Sequence, residues 1–168
     1  MKIKETYKTK EKIMNNSLTE EQVKVLNMSQ SVINEVRKVI IGKDEIIIKV
    51  LLSILAGGHI LIEDIPGVGK TTLAVALSKA LSLDYKRLQF TPDVLPTDVT
   101  GFTILNKETH KFEYKQGAAL TNLFLADEIN RTSSKTQSAL LEVMEEGKVT
   151  VDGITHKLSL IHISEPTR

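Results

Sequence analysis

One segment of the sequence restricts the possible folds more than any other: an apolar run followed by glycines, a lysine and a helix. The run is HILIE at 59–63, and turn-forming residues flank it, as is typical of a short strand buried on both faces. The next residues are DIPGVGKTT, which open the helical pattern TTLAVALSKAL at 71–81. A strand, a glycine-rich loop and a helix in this order predict one unit of a parallel α/β sheet.

The loop has the features that bind phosphate groups. Gly67 and Gly69 lack Cβ atoms, so backbone N–H groups can turn inward beside the positive end of the following helix. Lys70 would contact the β- and γ-phosphates of a nucleotide, and Thr71 would offer a hydroxyl to Mg²⁺. The literal pattern Gly-x-x-x-x-Gly-Lys-[Ser/Thr] fails because Asp64 stands at its first glycine. An ordinary turn before a lysine is the alternative, but the strand before and the helix after favour phosphate binding.

A second acidic motif ends another apolar run. Residues 122–126 (NLFLA) read as a buried strand, and Asp127 and Glu128 follow directly. An unpaired buried charge is costly, so adjacent acids at such a position indicate a bound cation or catalysis. Asp127 suits Mg²⁺, and Glu128 suits the polarisation of a water that attacks the γ-phosphate. Taken alone the motif could be a solvated strand end; together with the upstream loop it favours the metal and catalytic interpretation.

Sequence periodicity predicts the remaining elements. A capping box at Ser17 and Glu20 predicts the start of a first helix, which Gly42 ends. The other elements are a helix over 43–56, a strand over 85–90, a loop and hairpin over 91–117, a helix over 134–146 capped by Gly147, and a hairpin that turns at Asp152 and Gly153. Strands alternate with helices, so the predicted fold is α/β with a mostly parallel sheet.

Composition and charge exclude several classes of partner. The 168 residues suit one domain, and 22 basic against 21 acidic residues give a net charge of +1, so no nucleic acid partner is expected. The apolar stretch at 46–62 is interrupted and shorter than the ~20 residues of a membrane span, so no membrane insertion is expected. The absence of cysteine and of a signal-peptide pattern at the lysine-rich N-terminus favours a cytoplasmic location.

Three blocks of the sequence resemble one family. They are AGGHILIEDIPGVGKTTLA, LQFTPDVLPTDVTG and FLADEINRTSSKTQSALLEVMEEGKVTVDG, and in this order they resemble the MoxR branch of the AAA+ ATPases over about 40–157. The resemblance implies a P-loop NTPase fold, a three-layer sandwich around a mostly parallel sheet. It also implies a Mg-ATP-driven remodelling ATPase that works as a chaperone or activator. Such proteins form homo-oligomeric rings, often hexamers, with von Willebrand A-domain proteins as partners.

The resemblance also assigns residues to roles. Lys70, Thr71 and Thr72 match the Walker A motif, while Asp127 and Glu128 match Walker B. The expected ATP-binding residues are Pro66, Gly67, Val68, Gly69, Lys70, Thr71 and Thr72, with Ile41 and Gly42 near the adenine; Thr71 and Asp127 would bind Mg²⁺, and Glu128 and Lys70 would be catalytic. By resemblance, the insert at 89–115 and the hairpin at 149–156 face a central pore or the partner. Asn130 and Arg131 would serve ring contact or site support.

The resemblance ends after Lys157, before the sensor strand, arginine finger and helical lid on which the family's activity depends. Residues 158–168 (LSLIHISEPTR) look like a translated transposase sequencing adapter. We therefore expect a polar arm at 1–16, a partial AAA+ nucleotide-binding domain at 17–157 and a non-native tail at 158–168. In the family the sensor strand separates the two motif-bearing strands. The apolar segment 160–163 could take that position, and the chain alone is expected to be marginally stable.

Two other functions fit parts of the pattern. A P-loop kinase would transfer phosphate to a small molecule, but Glu128 argues against it because a water-activating base there suits hydrolysis. A non-catalytic nucleotide-binding fragment fits the chain as written, because the sensor, finger and lid do not follow. ATP hydrolysis is therefore expected of the intact parent and not of this fragment.

Overall fold

The computed structural model describes residues 18–63, 69–158 and 161–164. Its helices are α1 (Glu20–Arg37), α2 (Asp44–Leu55), α3 (Lys70–Ala80), α4 (Pro96–Thr100) and α5 (Ser134–Glu146), with a 3-10 turn at Ile129–Arg131. Its strands are β1 (Ile60–Leu61), β2 (Tyr85–Gln89), β3 (Gly101–Asn106), β4 (Lys111–Gln116), β5 (Leu123–Asp127), β6 (Lys148–Val151), β7 (Ile154–Lys157) and β8 (Ile161–Ser164). The arm at 1–16 lies outside the described residues.

Helix α1 begins later than the sequence indicated. Its N-cap is Thr19, whose hydroxyl accepts a hydrogen bond from the Gln22 amide at 3.3 Å, while the Gln22 side chain accepts one from the Thr19 amide at 2.9 Å. This reciprocal pair is a capping box. The prediction of a box at Ser17 and Glu20 was wrong, because Glu20 is the first helical residue and the competing Thr-x-x-Gln pattern makes the cap.

Four parallel strands form the central sheet, in the order β1-β8-β5-β2. This order confirms the predicted parallel α/β sheet. Strand β8 pairs on both sides, with Ile163 opposite Ile60 of β1 and opposite Leu125 of β5. The segment expected in the gap between the two motif-bearing strands is therefore paired there.

Two apolar clusters cover the two faces of the sheet and give the three-layer sandwich. On one face, residues of α1, α2 and α3 pack with Leu123 and Leu125 of β5. On the other face, α5 packs with Phe124 and Ala126. Successive residues of a strand point to opposite faces, so β5 contributes to both clusters and is buried along its whole length. The prediction that 59–63 is buried on both faces was wrong, because β1 lies at the sheet edge and Leu61 is exposed.

Two antiparallel hairpins project from the sandwich. Strands β3 and β4 form one and β6 and β7 the other, and the rings of Tyr114 and His156 stack between them with centroids 4.1 Å apart. The predicted turn is confirmed, because Asp152 and Gly153 both have positive φ, as a tight two-residue hairpin turn requires. Helix α4 was not predicted; Asp98 stabilises its start by accepting a hydrogen bond from the Leu95 amide at 2.8 Å.

The outer surface of α1 differs from a buried helix face. Only Ile33 and Val36 of this helix are buried, whereas Val25 and Met28 are exposed. Val25 and Ile33, together with residues of α2, border an open apolar groove of about 670 Å³. Periodicity thus predicted the helix but not the extent to which other elements cover it. Within the described ranges, no helix has both the length and the apolar composition that crossing a membrane requires.

We predict that deleting residues 158–168 destabilises the chain. The deletion removes β8, so facing edges of β1 and β5 lose their backbone hydrogen bonds, and unpaired buried backbone groups are costly. Thermal unfolding followed by circular dichroism should show a lower midpoint and a broader transition. An unchanged, equally cooperative transition would mean that β8 contributes nothing to the sheet.

Candidate functional site

The carboxyl ends of the parallel strands bring the two sequence motifs together. Leu61 of β1, Ser164 of β8 and Ala126 of β5 lie at the same level across the sheet. With adjacent strands roughly 4.8 Å apart, β1 and β5 are separated by only about 10 Å. Helix α3 follows β1 and packs on β5, so its first residue, Lys70, belongs to the edge at which β5 ends in Asp127. Ligands of open α/β sheets bind at this edge.

The start of α3 has the backbone shape that a phosphate loop needs. Gly69 is the N-cap and has φ of +86°, a left-handed conformation that favours glycine. Lys70 is only 8% exposed and Thr71 is half-buried, whereas Thr72 is exposed. Amide groups of the first turn of an α-helix have no intrahelical acceptor, so this end can bind an anion. Of the predicted loop residues, Pro66, Gly67 and Val68 lie outside the described residues.

The segment predicted to lie near the adenine adjoins this helix start. Ile40 and Lys43, which flank the predicted pair Ile41 and Gly42, line a small cavity of about 20 Å³ together with Gly69 and Lys70. Ile41 itself is 87% exposed. The fold therefore brings this segment next to the phosphate loop and leaves an apolar side chain open to a ligand.

Asp127 is buried and paired with an arginine that the sequence did not single out. The side chain of Arg87 donates two hydrogen bonds to Asp127 Oδ2, from Nε at 3.1 Å and from a terminal nitrogen at 2.5 Å. The carboxylate is 12% exposed and the guanidinium-bearing side chain 43%. Charge-assisted hydrogen bonds of this kind compensate the cost of burying the acid.

Glu128 has an unusual backbone conformation and a local partner. Its φ of 57° and ψ of 42° are left-handed, which is uncommon for a residue other than glycine. Its carboxylate accepts a 2.6 Å bond from Arg131, three residues along the 3-10 turn, and its carbonyl accepts one from the Arg131 amide at 3.0 Å. Arg131 therefore contacts Glu128 twice, and its expected role in ring contact or site support stays a prediction.

The loop after β2 is tied to the helix that follows the acidic pair. Thr132 and Thr136 are buried, and both donate hydroxyl hydrogen bonds to the Val94 carbonyl, at 3.2 and 2.8 Å. Phe90 extends the β2–β5 pairing by donating its amide to the Asp127 carbonyl at 2.8 Å. These contacts hold the segment around Asp127 and Glu128 in place from both sides.

The donor set fits a magnesium ion held together with a nucleotide. Within the described residues there is no cluster of three or more histidine, cysteine or acidic side chains that could hold a metal by itself. The oxygens at hand are the Thr71 hydroxyl and the Asp127 carboxylate. Mg²⁺ in nucleotide sites is usually bound by one or two protein oxygens, phosphates and several waters. Lys70, which is buried, would supply the positive charge for the phosphates.

Sequence reasoning missed Arg87 and the two threonines. Arg87 lies on β2, and its role depends on the register that sets Arg87 opposite Leu125 and Gln89 opposite Asp127. That register places Arg87 diagonally across from Asp127 on the same sheet face. The polar residues of YKRLQ could have suggested that one face of β2 borders a polar site. They could not have identified Asp127 as the partner of Arg87.

We predict that Gly69→Ala destabilises the protein by roughly 1–2 kcal/mol, because an alanine in the left-handed region is strained whatever the space around it. Nothing lies within 4 Å of the added methyl group, so backbone strain would be the sole cause among the described atoms. The control is Gly58→Ala, where φ is not positive and the methyl group would meet the Ser53 carbonyl at an ordinary 3.6 Å. Chemical denaturation measures the free energy of unfolding of both variants. An equal loss in the two would contradict the strain expected at Gly69.

Comparison with known proteins supplies the family. The sequence model of the ATPase family associated with various cellular activities (AAA) matches residues 59–166. The chain is 57% identical to the Bacillus subtilis protein YeaC over 127 residues, covering 76% of this chain and 40% of YeaC. It is 41% identical to Chaperone MoxR1 of Mycobacterium tuberculosis over 121 residues, covering 72% of this chain and 32% of that protein.

A solved structure agrees with these sequence relationships. The crystal structure of a proposed ATPase from Cytophaga hutchinsonii superimposes with a TM-score of 0.76 at 43% identity, covering 84% of this chain and 43% of that one. The chain thus spans about 40% of the length of relatives such as YeaC. The matched family model, the MoxR relatives and the shared fold together show that this chain belongs to the MoxR branch of the AAA ATPase family.

Proposed function

We propose that this chain is the nucleotide-binding portion of an intact protein that binds Mg-ATP and hydrolyses it. The observation that carries the proposal is the meeting of two motifs at one sheet edge: a buried lysine at a helix N-terminus and a buried aspartate at the end of the strand on which that helix packs. Burying a charged side chain costs free energy, and a bound nucleotide with its metal ion would offset that cost for both side chains.

Lys70 and the first turn of α3 would bind the β- and γ-phosphates. The lysine offers a compact positive charge, and the helix adds N–H donors and the positive end of its dipole. Gly69 allows the backbone to turn into the helix at this point. These groups are fixed before the nucleotide arrives, so little reorganisation is needed on binding.

Thr71 and Asp127 would hold the magnesium ion, directly or through its waters. A bound Mg²⁺ would neutralise charge on the phosphate oxygens as the terminal phosphate departs. Asp127 is suited to this task because its carboxylate is buried and its orientation is fixed by Arg87. Thr71, as the second residue of α3, lies next to the lysine that binds the phosphates.

Glu128 would accept a hydrogen bond, and then a proton, from the water that attacks the γ-phosphate. To do so its carboxylate must give up some of its pairing with Arg131, because the oxygen that accepts from the guanidinium is then less available to the water. By family resemblance, a neighbouring subunit of a ring would supply an arginine that stabilises the transition state, an effect of about 10³–10⁵ in rate in related systems.

We propose that this hydrolysis drives protein remodelling in a homo-oligomeric ring, hexameric by resemblance, with a von Willebrand A-domain protein as partner and in the cytoplasm. The name of the relative Chaperone MoxR1 supports the chaperone-like part. The two hairpins carry exposed apolar side chains suited to contact with a protein client: Phe102 and Phe112 on one and Ile154 on the other. A ring would repeat these side chains around its axis.

Lys70→Ala should weaken ATP binding by at least about tenfold, because a charge-assisted contact to phosphate is worth roughly 1.5–3 kcal/mol. The measurement is titration of the full-length protein with a fluorescent ATP analogue. The matched control is Lys79→Ala, an exposed lysine on the same helix, which should bind like wild type. If both variants bind the analogue equally well, Lys70 does not belong to a nucleotide site.

Glu128→Gln should retain ATP binding yet reduce hydrolysis by about 10²-fold or more, because the amide cannot accept the proton of the attacking water. Phosphate release from the full-length protein measures this, with the exposed Glu142→Gln of α5 as control. Turnover at the wild-type rate would refute the role of Glu128. Phosphate release without any added acceptor separates hydrolysis from the kinase alternative.

A further inference from the structure

Arg87 and Asp127 form an ion pair that the sequence motifs do not contain. Arg87 lies on β2 and Asp127 ends β5, and the parallel register makes them diagonal neighbours on one face of the sheet. Both hydrogen bonds that Arg87 donates to this carboxylate end on the same oxygen, Oδ2. Both ends of the pair sit on backbone that is hydrogen-bonded within the sheet, so the geometry is set by two strands and not by a mobile loop.

The two ends of the pair differ in their exposure to water. Tyr85 lies two residues before Arg87 on the same face, and its buried hydroxyl has no hydrogen-bond partner among the described residues. Burial raises the pKa of Tyr85, the Arg87 charge lowers that pKa, and the Asp127 charge raises it. The Tyr85 side chain as a whole is half-buried and Arg87 is 43% exposed, so water reaches the arginine. The Asp127 carboxylate is 12% exposed, and electrostatic attraction is stronger where water is excluded.

Stability alone does not explain such a pair. Replacing a buried ion pair by apolar residues of similar volume is often neutral or stabilising, and a pair with one exposed end gains less from the attraction of its charges. The useful consequence is orientation: a planar guanidinium that donates two bonds to one oxygen fixes the rotation of the carboxylate. Among the described residues, the recorded hydrogen bonds and ion pairs of the Asp127 carboxylate reach Oδ2 and not Oδ1.

We propose that Arg87 is a positioning residue that holds Asp127 by Oδ2, so that Oδ1 is presented to the magnesium ion of the nucleotide complex. This inference rests on the proposed Mg-ATP site. Arg87 also offsets the negative charge of Asp127, which makes the aspartate a poor ligand for a metal ion by itself and ties metal binding to the arrival of the phosphates. Arg87 touches neither the phosphates nor the attacking water in this role.

The test is the magnesium dependence of nucleotide binding, measured on the full-length protein with a fluorescent ATP analogue in Mg²⁺ and in EDTA. The ratio of the two dissociation constants gives the gain in nucleotide affinity that is due to Mg²⁺. Arg87→Gln should leave the dissociation constant in EDTA within about twofold and reduce the gain from Mg²⁺ by about 10–100-fold, the usual effect of removing a residue that orients a metal ligand. Asp127→Asn should abolish most of the gain, and the double variant should lose no more than Asp127→Asn.

Two further variants make the result specific. Arg87→Lys keeps the charge but not the planar fork, so it should lose most of the gain as well, and it serves if the glutamine variant fails to fold. Lys49→Gln removes one positive charge and one ion pair on the exposed face of α2, and it should match wild type. A glutamine or lysine variant with the full wild-type gain overturns the inference, even if its thermal stability is reduced. Absence of ATP-analogue binding by wild type overturns the proposed function itself.

Discussion

The structure depends on β5, a strand whose five residues are all buried and which pairs with a parallel strand on each side. Because its side chains alternate between the faces, the same strand contributes to both apolar clusters. Its apolar residues fix its position in the sheet, and that position fixes where Asp127 and Glu128 stand at its end. The candidate site is therefore a consequence of core packing: a shift of β5 by one residue would bury Glu128 and exchange the two faces.

The position between β1 and β5 shows how sheet geometry controls the site. One strand lies between them, and two strand separations set the motif-bearing strands about 10 Å apart. Residues 161–164 fill it in this chain, and their backbone pairs with both neighbours. Any strand in this position that pairs on both sides would keep the two motifs at the same separation. The distance between β1 and β5 is therefore set by the strand spacing of the sheet and not by the identity of the residues between them.

Much of the fold could be predicted because local chemistry determined it. The helix at 134–146 ends at Gly147, which has a positive φ, and the Asp152–Gly153 turn has the backbone that these residues favour. Features that depend on tertiary contacts could not be predicted from the sequence. They are the exposure of Leu61, the short helix at Pro96 and above all the partner of Asp127. Arg87 is forty residues from Asp127 in sequence, so only the strand register identifies it.

The two acids at the end of β5 are held in different ways, and the difference suits different tasks. Asp127 is 12% exposed, and its arginine comes from a neighbouring strand. Breaking a fully buried pair costs about 3–5 kcal/mol, and the cost is somewhat less here because the arginine is half exposed. Glu128 is 26% exposed and its arginine 52%, only three residues away, and a pair of this kind is worth about 0–1 kcal/mol. A metal ligand must stay in place, whereas a catalytic base must exchange partners. In the proposed site the rigid pair therefore suits Asp127 as the metal ligand. The weak pair would let Glu128 turn toward water at a cost of less than a tenfold change in population.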